Sequence, residues 1–158
     1  MLKTSNIIYQ TILNLMIQMK GCYCLIINVN CKKTIKIGKR LKIPFKKGYY
    51  VYVGSAMNSL DARLKRHLSD EKKLHWHIDY LLKEAEVTDA IYNESGRKIE
   101  CALSQSIAMR SYGIKGFGCS DCKCESHLYY FKNRKEAIES VLDAYDSIAA
   151  KCSFYKIK

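Results

Sequence analysis

The stretch Cys22–Val29 constrains the fold most. Tyr23, Leu25, Ile27 and Val29 fall on one face of an extended chain, and Cys22, Cys24 and Ile26 on the other. An alternation that is apolar on both faces predicts a central strand covered on both sides. Strands are also expected at 34–37, at Tyr49–Val53 after Gly48, at Val87–Tyr92 and at His127–Phe131. Between them, helical spacing or capping residues predict five helices. The first covers residues 5–19, with Ile8, Ile12, Leu15 and Met19 on one face. The second runs to about Leu68, capped by Ser59 or Asn58. The third starts near Leu74; the others span Ile99–Arg110 and Lys135–Lys151. Residues 1–20 read as an N-terminal amphipathic helix packing on the domain or on a second copy. Residues 21–132 read as the main domain, and 133–158 as a C-terminal helix packed on it. The expected fold class is α/β of the α+β type: a small, mainly antiparallel sheet flanked by helices.

Charge narrows the function. Lys and Arg number 27 against 15 Asp and Glu, a formal +12 on 158 residues. Such an excess on one small domain implies a polyanionic partner or an anionic membrane surface. The arginine face described below favours nucleic acid. No stretch approaches the ~20 apolar residues of a membrane span, so no membrane partner is expected. The eight cysteines do not suggest a secreted disulfide scaffold. No credible signal peptide precedes them, and a chain of this size folds without staples. A cytoplasmic protein with reduced thiols is the expectation.

The stretch most suggestive of chemistry is Tyr52-Val53-Gly54-Ser55-Ala56, followed by Arg63-Leu64-Lys65-Arg66-His67. A strand ends on a glycine, and the next helix shows Arg63, Arg66 and His67 at i, i+3 and i+4, on one face. Two guanidinium groups and an imidazole beside a strand end suit phosphate. Gly54, Ser55, Lys65 and Arg66 are candidate substrate contacts, with Lys39 and Arg40 in the basic Lys32–Lys47 stretch.

Gly21-Cys22-Tyr23, Tyr52-Val53-Gly54, Arg63 with His67, and Glu100 at the start of a later helix occur in that order. This succession resembles the GIY-YIG nuclease superfamily, in which Gly-x-Tyr and Tyr-x-Gly tripeptides lie on neighbouring strands. The run from Tyr52 to His67 is similar to its phage homing-endonuclease branch. Gly48–Ala56, Leu74–Leu82 and Gly116–Tyr130 are similar to a small archaeal branch, whose members also occur fused to endonuclease III-type glycosylases. In that superfamily a short hairpin usually joins the two tripeptides; here residues 24–51 separate them. The resemblance implies hydrolysis of phosphodiester bonds with Mg²⁺ or Mn²⁺, DNA in preference to RNA, and a structure-selective or repair role. It also implies site roles: Glu100 as metal ligand, Arg63 on a non-bridging oxygen, Tyr23 and Tyr52 on the attacking water, and His67 in proton transfer or substrate binding. A homodimer or a repair-protein partner is compatible with it. The rival expectation is a domain or adaptor that binds nucleic acid without cutting it.

Two further groups carry ligand chemistry. His75 and Asp79 share a helix face while His77 points elsewhere, so they predict an ordinary helix with Trp76 in the core rather than a metal site. Cys119, Cys122, Cys124 and His127 offer four soft ligands for structural zinc. Buried thiols or a Cys119–Cys122 redox pair are the alternatives. Cys22, Cys24, Cys31, Cys101 and Cys152 read as small core residues.

Overall fold

A computed structural model describes residues 2–17 and 19–157. Gln18, in the predicted first helix, lies outside the described residues, as do Met1 and Lys158 at the predicted segment ends. The elements run α1 (Leu2–Ile17), β1 (Gly21–Val29), β2 (Lys33–Ile37), β3 (Leu41–Phe45), β4 (Gly48–Ala56), α2 (Leu60–Leu68), α3 (His77–Leu82), β5 (Glu86–Glu94), α4 (Glu100–Ala108), β6 (Leu128–Phe131), α5 (Arg134–Ser147) and β7 (Ser153–Phe154). The fold is α+β, with a five-stranded antiparallel sheet in the order β6-β4-β1-β5-β7 and a separate β2–β3 hairpin.

The doubly apolar β1 is the middle strand, flanked by β4 and β5. Its two faces feed two cores. Tyr23, Leu25 and Ile27 pack with Leu64 of α2, Ile78 and Leu81 of α3, and Ile35, Ile37 and Phe45 of the hairpin. Cys22, Cys24 and Ile26 pack with Leu103 and Ile107 of α4 and with Val141 and Tyr145 of α5. The β2–β3 hairpin occupies most of the long gap between the two tripeptides. Its β3 strand lies where sequence shows mainly a basic stretch, because Lys42 faces out while Ile43 and Phe45 are buried. The gap therefore leaves β1 and β4 free to pair along their whole length, from Gly21↔Ala56 to Val29↔Gly48.

Two expectations are revised. The helix with Trp76 starts at His77, three residues later than expected, with Trp76 as its N-cap. The described side chains of α1, from Lys3 to Leu15, are all exposed, so that stretch of its apolar face is not buried against the domain. Among the described residues no helix is long and apolar enough to cross a membrane.

Candidate active site

The site begins with cross-strand register. Tyr23 on β1 stands opposite Gly54 on β4, and its phenol lies across the glycine. A Cβ on Gly54 would come within 2.5 Å of the Tyr23 hydroxyl. Tyr52, two residues earlier on the same face, sets its ring 6.4 Å from that of Tyr23. Gly118, at φ +68°, closes against Tyr52 from the loop before β6; a Cβ there would sit 3.0 Å from the ring. Both phenols are thus held by close backbone approaches that only glycine permits.

Helix α2 is capped by Ser59, whose hydroxyl accepts from the Ala62 amide at 3.1 Å. Its arginines do different work. Arg63 donates from Nη1 to the Ser55 carbonyl at 3.0 Å, and its guanidinium lies 4.4 Å from the centre of the Trp76 ring. No carboxylate pairs with it among the described residues. Arg66 also lies over Trp76, at 4.3 Å, but makes a bidentate bridge to Asp79 at 2.7 and 2.8 Å and donates to the Lys73 carbonyl. Asp79 is fully buried and also accepts the His75 and Trp76 amides, both at 2.9 Å. Burial works to raise this carboxyl, but the Arg66 bridge and the two amides outweigh it and hold it at about 2. Arg66, expected as a substrate contact, is therefore engaged as the counter-ion of the buried Asp79 rather than standing free on the helix face. Trp76, read as a core residue, is a half-buried platform for both guanidinium groups.

His67 is also relocated. It is 2 % exposed, beneath Tyr23 rather than on an open helix face, with Nε2 at 2.7 Å from the Tyr23 hydroxyl. Burial, then the positive charge of Arg63, Lys72 and Arg66, overcomes the pull of Asp79 and lowers it to about 3, so the ring is neutral at physiological pH. Its Nδ1 is buried with no hydrogen-bond partner. Burial likewise pushes the Tyr23 and Tyr52 phenols above their ordinary range, with the Glu100 charge contributing at both, and Arg63 offsets only part of this.

Tyr23, Tyr52, Gly54, Ser55, Arg63 and Glu100 line one cleft of about 900 Å³. Lys98 and Asp121 line it too, and no sequence motif marks either. Lys39 and Arg40 lie in the β2–β3 turn and do not line it. Lys65 is 70 % exposed and paired with Asp61 at 2.8 Å. Glu100 opens α4, where the helix dipole favours a carboxylate. Its side chain is 22 % exposed, with Oε1 3.8 Å from Nδ1 of His127.

That histidine leads to the thiols. Cys101, Cys122, Cys124 and His127 bring one ligand atom each to within 4.8 Å of one another and form a group able to hold a metal ion such as zinc. Cys119 is not a member; its Sγ donates to the Glu125 carbonyl at 3.5 Å. Cys101, expected in the core, takes that place from α4. Cys31 is exposed, not core, whereas Cys22 and Cys24 are buried as expected. Burial raises the Cys101 and Cys124 thiols, the latter to about 12. His75, His77 and Asp79 form no ligand group; Asp79 is consumed by Arg66, and Nδ1 of His77 accepts the Gly118 amide at 3.3 Å.

No curated protein and no solved structure gives a significant match to the chain. A family model does match: the family described as a domain of unknown function, DUF123, aligns with residues 22–150, from the strand bearing Tyr23 to just beyond α5, and the chain belongs to that family.

Proposed function

We propose that the protein is a divalent-cation-dependent endonuclease of the GIY-YIG type, hydrolysing phosphodiester bonds in DNA. The observation that carries this reading is the convergence of Tyr23, Tyr52, Arg63 and Glu100 on one cleft of a strongly basic chain.

In this reading the scissile phosphate enters between α2 and the Tyr23–Tyr52 pair. Arg63, fixed by the Ser55 carbonyl and by Trp76, directs its remaining N–H groups to a non-bridging oxygen. It neutralises charge as the phosphorus becomes pentacoordinate. The buried phenols cannot act as standing phenolates. With the ring hydrogen of His67 on Nδ1, Nε2 accepts the Tyr23 proton, and the Tyr23 oxygen is then free to accept from the attacking water. Tyr23 so aims the water, and His67, held neutral by burial and by the cations around it, keeps the phenol fixed while the water's proton leaves to bulk solvent in the open cleft. Tyr52 holds the water from the second side.

The residues that would hold a hard cation are the carboxylates lining the same cleft. Mg²⁺ uses one or two carboxylates and keeps several waters, and Glu100, with Asp121 in the same cleft, offers that donor set. When bound there, Mg²⁺ or Mn²⁺ supplies Lewis-acid stabilisation of charge on the phosphate and leaving oxygens. Thiols are the wrong donors for it, so the cysteine group stands outside this step. DNA is favoured over RNA, and a repair or structure-selective role is favoured by the lack of an obvious sequence-reading module.

One observation favours a second reading. Oε1 of Glu100 is directed toward His127, and a carboxylate held there would leave a domain or adaptor that grips nucleic acid without cutting it. Incubation with branched and plain duplex DNA plus Mg²⁺ or Mn²⁺ separates the two: binding that falls steeply with salt is common to both, and metal-dependent products belong only to the nuclease.

A further inference from the structure

We infer that Cys101, Cys122, Cys124 and His127 bind one Zn²⁺, and that this ion fastens the first turn of α4 to the loop before β6. The metal site stands on the four ligands alone; its consequence for Glu100 rests on the nuclease reading.

The donor set is chemically selective. Three thiolates and one imidazole match the Cys₃His structural zinc type and exclude Mg²⁺ and Ca²⁺. The spacing is close to assembled. Tetrahedral zinc with Zn–S near 2.3 Å and Zn–N near 2.0 Å sets its ligand atoms roughly 3.5–3.8 Å apart. Sγ of Cys122 is already 3.4 Å from Nε2 of His127, and all four ligand atoms lie within 4.8 Å. The topology removes the strain of four ligands in one short turn: the fourth comes from α4. Binding releases the three thiol protons and leaves the site with a single net negative charge.

Backbone bonds such as that from the His127 amide to the Phe117 carbonyl, at 2.9 Å, tie the surrounding segment, and a metal would add to them. Residues 109–127 contain no helix or strand. Yet Phe117 is wholly buried, and Gly118 presses on Tyr52. A metal link between Cys101 and the Cys122–His127 turn closes this loop and offsets the conformational entropy of holding it.

The partner of the His127 ring points the same way. With Nε2 on the metal, the hydrogen of His127 must sit on Nδ1, which faces Oε1 of Glu100. At 3.8 Å the pair is less than about 1 Å from the hydrogen bond of a carboxylate–histidine–zinc arrangement, which metal binding would complete. Zinc would then orient Glu100 through His127, with its other oxygen left for the cleft cation.

The test is a Co²⁺ titration of the metal-stripped full-length protein, followed by zinc analysis of protein loaded with Zn²⁺ and dialysed. The expected result is one equivalent of Co²⁺ with thiolate charge-transfer and tetrahedral d–d absorption, and about one retained zinc. Cys119→Ser leaves both unchanged, Cys101→Ser abolishes retention, and Glu100→Gln weakens affinity by about 10–100-fold. Folded wild-type protein that gives no charge-transfer band, or retains less than about a quarter equivalent of zinc, overturns the proposal. So does retention that survives Cys101→Ser and fails with Cys119→Ser. If Cys101→Ser does not fold, the titration of the unaltered protein still decides. Full zinc loading without DNA cleavage would retire the nuclease reading and leave the zinc site standing.

Discussion

The phenol of Tyr23 lies over the Cα of Gly54, its register partner on the neighbouring strand, in the space a side chain would need. The glycine that ends the Tyr-x-Gly tripeptide is therefore a steric requirement of the tyrosine in the Gly-x-Tyr tripeptide. Gly54→Ala would place a methyl 2.5 Å from the Tyr23 hydroxyl and force the ring off Nε2 of His67. The expected cost is about 1–3 kcal/mol of stability together with loss of cleavage. Denaturant unfolding checks the first and a cleavage assay the second. Tyr23→Phe, which keeps the ring and removes the oxygen, should lose cleavage with little change in fold.

The two arginines of α2 should separate cleanly. Arg66→Ala leaves the buried Asp79 carboxylate without its counter-ion and is expected to cost about 3–5 kcal/mol. Arg63→Ala should leave stability nearly unchanged and lower cleavage by about 10²–10³-fold. Denaturant midpoints beside single-turnover rates read both.

Acid should destabilise the protein in two stages. His67 is lowered in the fold, to about 3 from 6.5, so the unfolded chain binds the proton more readily between these values. Stability is complete above about pH 6.5 and falls as pH drops toward 3, by on the order of 4–5 kcal/mol. Asp79 is also lowered, to about 2 from 3.8; its contribution, present above 3.8, is lost as pH falls through 2. Unfolding free energies measured between pH 8 and pH 4 should show the first decline, and His67→Gln should flatten it.

Lysines should contribute unequally to DNA affinity. Lys98 lines the cleft, and Lys98→Ala should weaken binding evenly across DNA sequences while reducing the salt slope by about one. Lys65, exposed and paired with Asp61, should matter much less. Fluorescence anisotropy across a salt series distinguishes them.

What could be read from sequence was what local pattern encodes. The two-faced apolarity of Cys22–Val29 marked the middle strand, and Ser59 with the arginine spacing marked α2. The pairing of β1 with β4 brings Tyr23 beside Tyr52, and α2 and α4 add Arg63 and Glu100 to the same cleft, a grouping the resemblance implies and no local pattern encodes. Roles that depend on contacts between distant segments were not legible. Arg63 and Arg66 look alike on a helix wheel, and only a carboxylate thirteen residues later, fully buried, separates them. Cys101 looked like core filler because its partners lie twenty-one or more residues onward. Burial of His67 followed from the packing of α2 beneath Tyr23, which helix spacing does not report.

The central claim is a metal-dependent phosphodiesterase cleft built on Arg63 and Glu100. Its most direct test is single-turnover cleavage of labelled branched and duplex DNA with Mg²⁺ or Mn²⁺, comparing wild-type protein with Arg63→Ala and Glu100→Ala purified identically. The account predicts metal-dependent products from the wild type, and at least about a 10²-fold loss of rate in each variant. Cleavage undiminished in both variants, or DNA binding without products under any divalent cation, would contradict it.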